Sequence, residues 1–370
     1  EQDKPGEAAN LINSAISLSP DAGFLYYTKA RILQQQEKYD EAESCLQRAI
    51  DINPLDADYF ALWASLKLTR KQFEQALKLA EKSLELDAEN IHGLNVRSTA
   101  LLKLNKKEAS FSTIKGALAG DPNNPYTHAN YGWNLLEKGD HRKALLHFKE
   151  ALKNDPTLQF AQAGMVEALK AKYLFYRLFL KYAFWISNLT AKYQWAVIIG
   201  FYVGFRIIRT VAENNETLEP YLMPLIVLLA FIAFSTWVIN PVSNLFLRLN
   251  PYGKYLLDKR EIISSNFVGF SFLLFASGVL CYFIFGEEKW LTIAVFGFAM
   301  MIPFGVMFSP SKYKHSLLIY VAVMFFIGTA SISFTFISGE LFNIFTTVFL
   351  FAFIAFQWIA NYLMIKQSNL

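Results

Sequence analysis

From Ala8 to Ala151, apolar stripes recur at helical spacing and small residues return every 34 positions. Ala8, Ala42, Ala76, Ser110 and Ala144 form one column, and Ala15, Ala49, Ser83, Ala117 and Ala151 form a second. Between them run Ile12, Leu46, Ala80, Ile114 and Phe148, and Pro20, Pro54, Ala88, Pro122 and Pro156 follow. The pattern predicts pairs of short helices touching at small residues, with proline closing four of the five second helices. No pair can bury its stripe alone, so the units must stack into a curved solenoid. Beyond residue 192 six almost purely apolar runs take over, at 193–212, 221–246, 263–286, 290–309, 316–338 and 341–364. Each is long enough to cross a hydrocarbon core of about 30 Å as a helix. The expected fold is all-α, an N-terminal solenoid followed by a six-helix transmembrane bundle.

The repeats carry a family resemblance. "YDEAESCLQRAIDINP" (39–54) and "HRKALLHFKEALKNDP" (141–156), with small Ala30, Ala64, Ser98 and Gly132 in the preceding helices, resemble the tetratricopeptide (TPR) family. The resemblance covers residues 6–170 of a domain placed at 1–170. It gives repeats at 23–56, 57–90, 91–124 and 125–158, a lone second helix at 6–18 and a further first-type helix at 159–170. The register points to sequence upstream of Glu1. The family's concave face, lined by first helices, implies a groove for peptides or partner proteins. Its groove positions fall here on Tyr27, Arg31, Gln34, Ser65, Thr69, His92, Asn95, Lys103, Tyr126 and Trp133. Some of these, Trp133 above all, have packing between repeats as an alternative role. The Lys and Asn cluster that clamps a peptide carboxylate in some members is incomplete, with only Asn95, Lys103 and Asn130 as candidates.

Charge separates the halves further. Residues 1–172 carry 22 Lys/Arg and 23 Asp/Glu, whereas 173–370 carry 13 and 8, so the net +4 of the chain comes from the apolar half. Basic residues beside apolar runs suit lipid head groups, and no basic stripe on a soluble domain suggests nucleic acid. Lys170, Lys172, Arg177, Lys181, Lys192, Arg248, Lys254, Lys259, Arg260, Lys312, Lys314 and Lys366 fall at the ends that share a side with the repeats. Only Arg206, Arg209 and Lys289 fall at the other ends. By the positive-inside rule the solenoid and the C-terminus belong in the cytoplasm. The resemblance to bacterial TPR proteins with a polytopic membrane domain makes the expected site a bacterial inner membrane. Cys45 and Cys281 lack CxxC or Cys/His neighbours and read as small buried hydrophobes, not a disulfide or zinc site.

Residues 171–192 join the two halves. Tyr173, Phe175, Tyr176, Leu178, Phe179, Leu180, Tyr182, Phe184 and Trp185 are interrupted by Arg177 and Lys181, four apart on one helical face. The segment reads as an interfacial amphipathic helix coupling the halves, with a spanning helix as the alternative. It lacks the Gly/Ser/Pro richness of a flexible linker. Arg177, Lys181, Arg206 and Arg209 are the candidate lipid or anion contacts, and Gly200 and Gly204 form a GxxxG. No Asp, Glu or His lies within the six runs, and HExxH, GxSxG and GxxxxGK[ST] are absent. No catalytic, cofactor or metal residues are expected. The expected function is a membrane-anchored adaptor recruiting proteins through the groove; the alternative is a transporter, channel or lipid-handling protein with a regulatory solenoid, using Arg206, Asn343, Gln357 and Asn361.

Overall fold

The structure, a computed structural model, describes residues 5–248, 256–309 and 314–368, and within these not the side chains of 5–7, 314–315 and 367–368. Lys254 and Lys312 of the charge pattern therefore lie outside the described residues, and for Lys314 only the backbone is described. Among the described residues there are 17 helices and no strand. They divide into two compact units, one ending at Ala168 and the other beginning at Leu169.

The first unit holds α1 (Pro5–Leu18), α2 (Gly23–Gln35), α3 (Tyr39–Ile52), α4 (Ala57–Thr69), α5 (Phe73–Leu86), α6 (Ile91–Lys103), α7 (Lys107–Gly120), α8 (Pro125–Lys138), α9 (His141–Asn154) and α10 (Gln159–Lys170). From α1 to α9 each helix packs on the next, the pairs α2/α3, α4/α5, α6/α7 and α8/α9 most extensively, and alternate first helices touch one another. The result is a solenoid. The small columns are its contact lines: Ala30, Ala64, Ala42, Ala76, Ala144, Ala49, Ala117 and Ala151 are fully buried. Ser98 and Ser110 occupy two of these positions without leaving a polar atom unmet. The Ser98 hydroxyl donates to the Ser110 carbonyl at 3.0 Å, and the Ser110 hydroxyl donates to the Ser98 carbonyl at 2.7 Å.

The repeat also fixes the turns. Glu37, Lys71, Asn105 and Gly139, each 34 apart, take left-handed φ values of 61°, 60°, 61° and 97° between the paired helices. Only the last uses the glycine that this conformation favours. Entry caps repeat in the same way: the side chains of Asp56, Asn90 and Asn124 accept from the backbone N–H of Asp58, Gly93 and Thr127.

A histidine pair lies between α8 and α9, His128 buried and His147 half-buried. His128 Nδ1 and His147 Nδ1 are 3.0 Å apart, and His128 Nε2 lies 3.0 Å from the Pro122 carbonyl. Because a carbonyl only accepts, His128 carries its proton on Nε2, and His147 Nδ1–H donates to His128 Nδ1. Burial first, then the neighbouring His128, hold His147 down at about 4, with Glu150 opposing them. As pH falls below the ordinary 6.5, the unfolded chain takes up a proton that the folded one refuses, so stability is lost between 6.5 and about 4. His147 is partly exposed, so solvent screening reduces the loss to roughly 1 kcal/mol. Calorimetry should give a lower melting temperature at pH 5 than at pH 7, with a smaller drop in His147→Gln. Equal drops in the two proteins would remove the pair as the cause.

The second unit holds α11 (Leu174–Ser187), α12 (Ala191–Glu213), α13 (Glu219–Leu247), α14 (Lys259–Phe285), α15 (Lys289–Val306), α16 (Lys314–Ser338) and α17 (Ile344–Ser368). Helices α12 to α17 are the six long and apolar enough to cross a membrane. Consecutive helices pack together, α12 also meets α17, and α15 touches α13, α14, α16 and α17. Helix α15 is the inner one: 56% of its apolar stretch is buried, against 28% or less in the others. Phe296, Met300, Met301 and Phe304 on α15 meet Val268, Val321, Met324, Phe349 and Phe356 in the core. The outer surface is apolar as well, with Phe283, Phe326, Ile337, Phe342 and Phe351 each exposing 70% or more.

Two features depart from the apolar runs and motifs. Helix α17 starts at Ile344, not 341, because Asn343 Oδ1 accepts from the Thr346 N–H at 3.0 Å and caps the helix there. The GxxxG of Gly200 and Gly204, which permits close packing, is not used for it, since a Cβ on either would meet nothing within 4 Å. Cys45 and Cys281 are free thiols, half-buried and not fully enclosed.

Candidate functional site

Helices α2, α4, α6, α8 and α10 each contribute to one cleft of about 590 Å³ in the first unit. The period of 34 explains how side chains from five helices converge, because the side-chain direction at one position of a first helix recurs one repeat along. Phe24, Asp58, His92, Tyr126 and Phe160 form one such line, and Arg31, Ser65, Thr99 and Trp133 another. The lining comprises Tyr27, Arg31 and Gln34 from α2, Leu62, Ser65, Leu68 and Thr69 from α4, His92, Asn95, Val96 and Thr99 from α6, Tyr126 and Asn130 from α8, and Phe160 from α10.

Eight of the ten positions expected for the groove are thus brought together: Tyr27, Arg31, Gln34, Ser65, Thr69, His92, Asn95 and Tyr126. Lys103 and Trp133 are not in that lining. Lys103 Nζ meets Glu137 Oε2 at 2.6 Å, with both side chains largely buried. Trp133 Nε1 donates to the Phe160 carbonyl at 3.1 Å, its ring stacked on Phe160 and edge-on to Phe148. Thr99 and Phe160 line the cleft without having been singled out for it, although completing the 34-residue lines reaches both, and Asn130, named only as a carboxylate-clamp candidate, lines it too.

The floor is polar and satisfied from within. Asn130 Nδ2 donates to Asn95 Oδ1 at 3.0 Å, Asn95 Nδ2 donates to Thr127 Oγ1 at 2.9 Å, and the Thr99 hydroxyl donates to Asn130 Oδ1 at 3.0 Å. Such a network holds its residues in one arrangement. The walls are aromatic: Tyr27 packs on Tyr59 at 5.3 Å between centroids, and Tyr126 stacks on Phe160 at 5.6 Å. The Arg31 guanidinium sits 5.9 Å from the Tyr27 ring centroid. Burial pushes His92 below its ordinary value, Asp58 opposing and Arg31 assisting, so the imidazole is neutral at pH 7. Burial likewise raises Tyr27 and Tyr126, which remain phenols. Arg31 is left as the one formal charge among the lining residues.

Residues 1–66 match the family model for the tetratricopeptide repeat. The first unit is a tetratricopeptide-repeat solenoid. Repeats of this kind serve protein–protein interaction and scaffolding. Curated relatives of the TPR-bearing chain include the BBSome complex member BBS4 of Xenopus tropicalis, 25% identical over 143 residues, covering 39% of this chain and 26% of that protein. The Bos taurus BBS4 is 26% identical over 128 residues, covering 35% of this chain and 25% of its own length. The chain thus spans about a quarter of the length of these relatives. Among solved structures, YrrB, a TPR protein with an unusual peptide-binding site, is 19% identical with a TM-score of 0.33, covering 45% of this chain and 85% of its own. TTC0263, a thermophilic TPR protein of Thermus thermophilus, is 17% identical with a TM-score of 0.41, covering 44% and 88%.

The candidate lipid contacts lie in the other unit. Arg177 is half-buried on α11 and its Nε has no hydrogen-bond partner, while Lys181 is exposed one turn on. Arg206 is exposed on α12, and Arg209 Nε pairs with Glu213 Oε1 at 2.7 Å. Among the described residues no three His, Cys, Asp or Glu side chains converge as a metal would need.

Proposed function

We propose that this protein is a membrane-anchored adaptor that recruits a protein partner through the concave groove of its TPR unit. The observation that carries the reading is the cleft itself, an aromatic and hydrogen-bonding lining drawn from five helices with Arg31 as its one formal charge. Aromatic and arginine side chains in concave, partly desolvated settings are the groups that dominate protein interfaces. Membrane anchoring is supported by the six long apolar helices and their apolar outer surface. The twelve-to-three distribution of Lys and Arg over the run ends supports a cytoplasmic TPR unit and C-terminus. The BBS4 relatives are members of the BBSome complex, which accords with a scaffolding role here.

The test is purification of the intact protein from its native membranes in mild detergent, beside Arg31→Glu/Tyr126→Ala and beside Lys115→Glu, an exposed control on α7. A partner identified by mass spectrometry should fall at least tenfold with the double variant and stay level with the control. Equal recovery of every co-purifying protein from all three would overturn the groove as the recruiting surface.

A further inference from the structure

We infer that α11 lies in the plane of a bilayer surface, its exposed apolar face seated at the boundary of head groups and acyl chains, with Arg177 and Lys181 meeting the phosphates of anionic phospholipids. The inference rests on the reading of the second unit as a membrane bundle. It adds a lipid-recognition element to the adaptor.

Position comes first. Near its start α11 is tied to the C-terminal end of α13, where the Tyr176 hydroxyl donates to Asn240 Oδ1 at 2.8 Å and Tyr173 packs against Phe246. At its finish it is tied to the first turn of α12, where Gln194 Nε2 donates to the Ile186 carbonyl at 3.0 Å and the Leu189 carbonyl at 3.2 Å. The start of α12 and the end of α13 belong to the same end of one antiparallel hairpin, so both ends of α11 are held at one end of the bundle. With 14 residues α11 is about 21 Å long, too short to cross about 30 Å of hydrocarbon.

The second observation is the face that the bundle leaves uncovered. Tyr176 and Leu180 are buried against the unit, whereas Leu174, Phe175, Leu178, Tyr182 and Trp185 stand exposed on the opposite arc. Tyrosine and tryptophan here have a wet end and an apolar body, which suits the interface. Tyr173 at the head of the helix packs on Phe246, itself an exposed side chain of α13, which favours lipid over a second protein as the cover of the arc.

Charge selects the lipid. Lys181 flanks the arc and is exposed, and Arg177 on the same flank is half-buried, its Nε enclosed without a hydrogen-bond partner. Lys192 at the start of α12, Arg248 at the end of α13, and Lys259 and Arg260 at the start of α14 share that end of the bundle. No Asp or Glu occurs between residues 168 and 212, and Asp258 and Glu261 nearby are engaged with each other's backbone as a capping box. A basic helix of this form binds an anionic surface more strongly than a neutral one.

The experiment uses the full chain with Cys45→Ser and Cys281→Ser, reconstituted in nanodiscs of phosphatidylcholine and phosphatidylglycerol. A nitroxide on Leu178→Cys is compared with one on Phe326→Cys in α16 and one on Leu11→Cys in α1. Collision with oxygen over collision with a water-soluble nickel chelate should be at least fivefold higher for 178 and for 326 than for 11. If 326 behaves as lipid-facing and 178 as water-facing, the inference falls and the membrane reading stands. If both behave as water-facing, both fall. Spin–spin broadening at 178 would show a second copy covering the face and would also overturn it. Phosphatidylglycerol retained per protein through detergent extraction should drop at least threefold in Arg177→Gln/Lys181→Gln, with the 326 profile unchanged as proof of folding. Unchanged retention would overturn the phosphate role.

Discussion

Replacing Phe148 with alanine is expected to lower the stability of the fourth repeat by about 3–5 kcal/mol, among the largest effects available in the TPR unit. Phe148 is fully buried on α9 and stands in the column that holds Ile12, Leu46, Ala80 and Ile114 in the other repeats. Room for a ring exists because two glycines vacate it. A Cβ on Gly132 would come within 2.7 Å of the ring and one on Gly164 within 2.1 Å. The sign of a second change therefore depends on the first. With Phe148 present, Gly164→Ala forces a ring packed edge-on to Trp133 to shift, at a cost of about 1–3 kcal/mol. With Phe148→Ala, the same glycine is merely a poor helix former, and alanine there should stabilise by up to about 1 kcal/mol. Hydrogen exchange of the α8, α9 and α10 amides reads the cycle, since a loss of 3 kcal/mol is a rise in opening of roughly a hundredfold. Additive effects of the two substitutions would mean that the ring is not what the glycines accommodate.

That pairing bears on what can be read from the chain alone. The columns of small residues are legible because stacking repeats demands a small side chain at the same place each time, and the period survives substitution by serine. The left-handed turn position is legible only at Gly139, since Glu37 and Lys71 adopt the same φ without the residue that would announce it. In the cleft, spacing finds the side of the helix but not the partner. Lys103 and Glu137 are separated by one repeat length and pair with each other, and Trp133 turns its indole to Phe160 and Phe148. Phe160 itself sits on α10, which stands outside the four full repeats, although it continues the line of His92 and Tyr126. In the second unit hydropathy marks six helices but is blind to their order of packing. Helix α15 is innermost although its mean hydropathy, 1.6, is below that of every other run but α12.

Gly278→Val and Gly297→Val should each destabilise the second unit by about 3 kcal/mol, the upper end of overpacking. A Cβ on Gly278 of α14 would lie 2.5 Å from the Ala294 backbone nitrogen, and a Cβ on Gly297 of α15 would lie 2.5 Å from that of Phe275 and 2.7 Å from the Ser271 carbonyl oxygen. The obstruction is backbone in both directions. No rotamer relieves it, so the helices must part, and α15 packs on three further helices that would have to follow. Gly200→Val and Gly204→Val on α12 form the internal comparison. They have the GxxxG spacing, which Gly278 and Gly297 lack, but open space where a Cβ would go, so they should cost less than about 1 kcal/mol. Heating with a thiol-reactive dye follows the unit through Cys281, three residues beyond Gly278, in a Cys45→Ser background. If valine at 200 costs as much as valine at 297, close backbone approach between α14 and α15 is not what holds the unit together. The expected order instead makes the distance between backbones, and not the motif, the property that glycine serves in this protein.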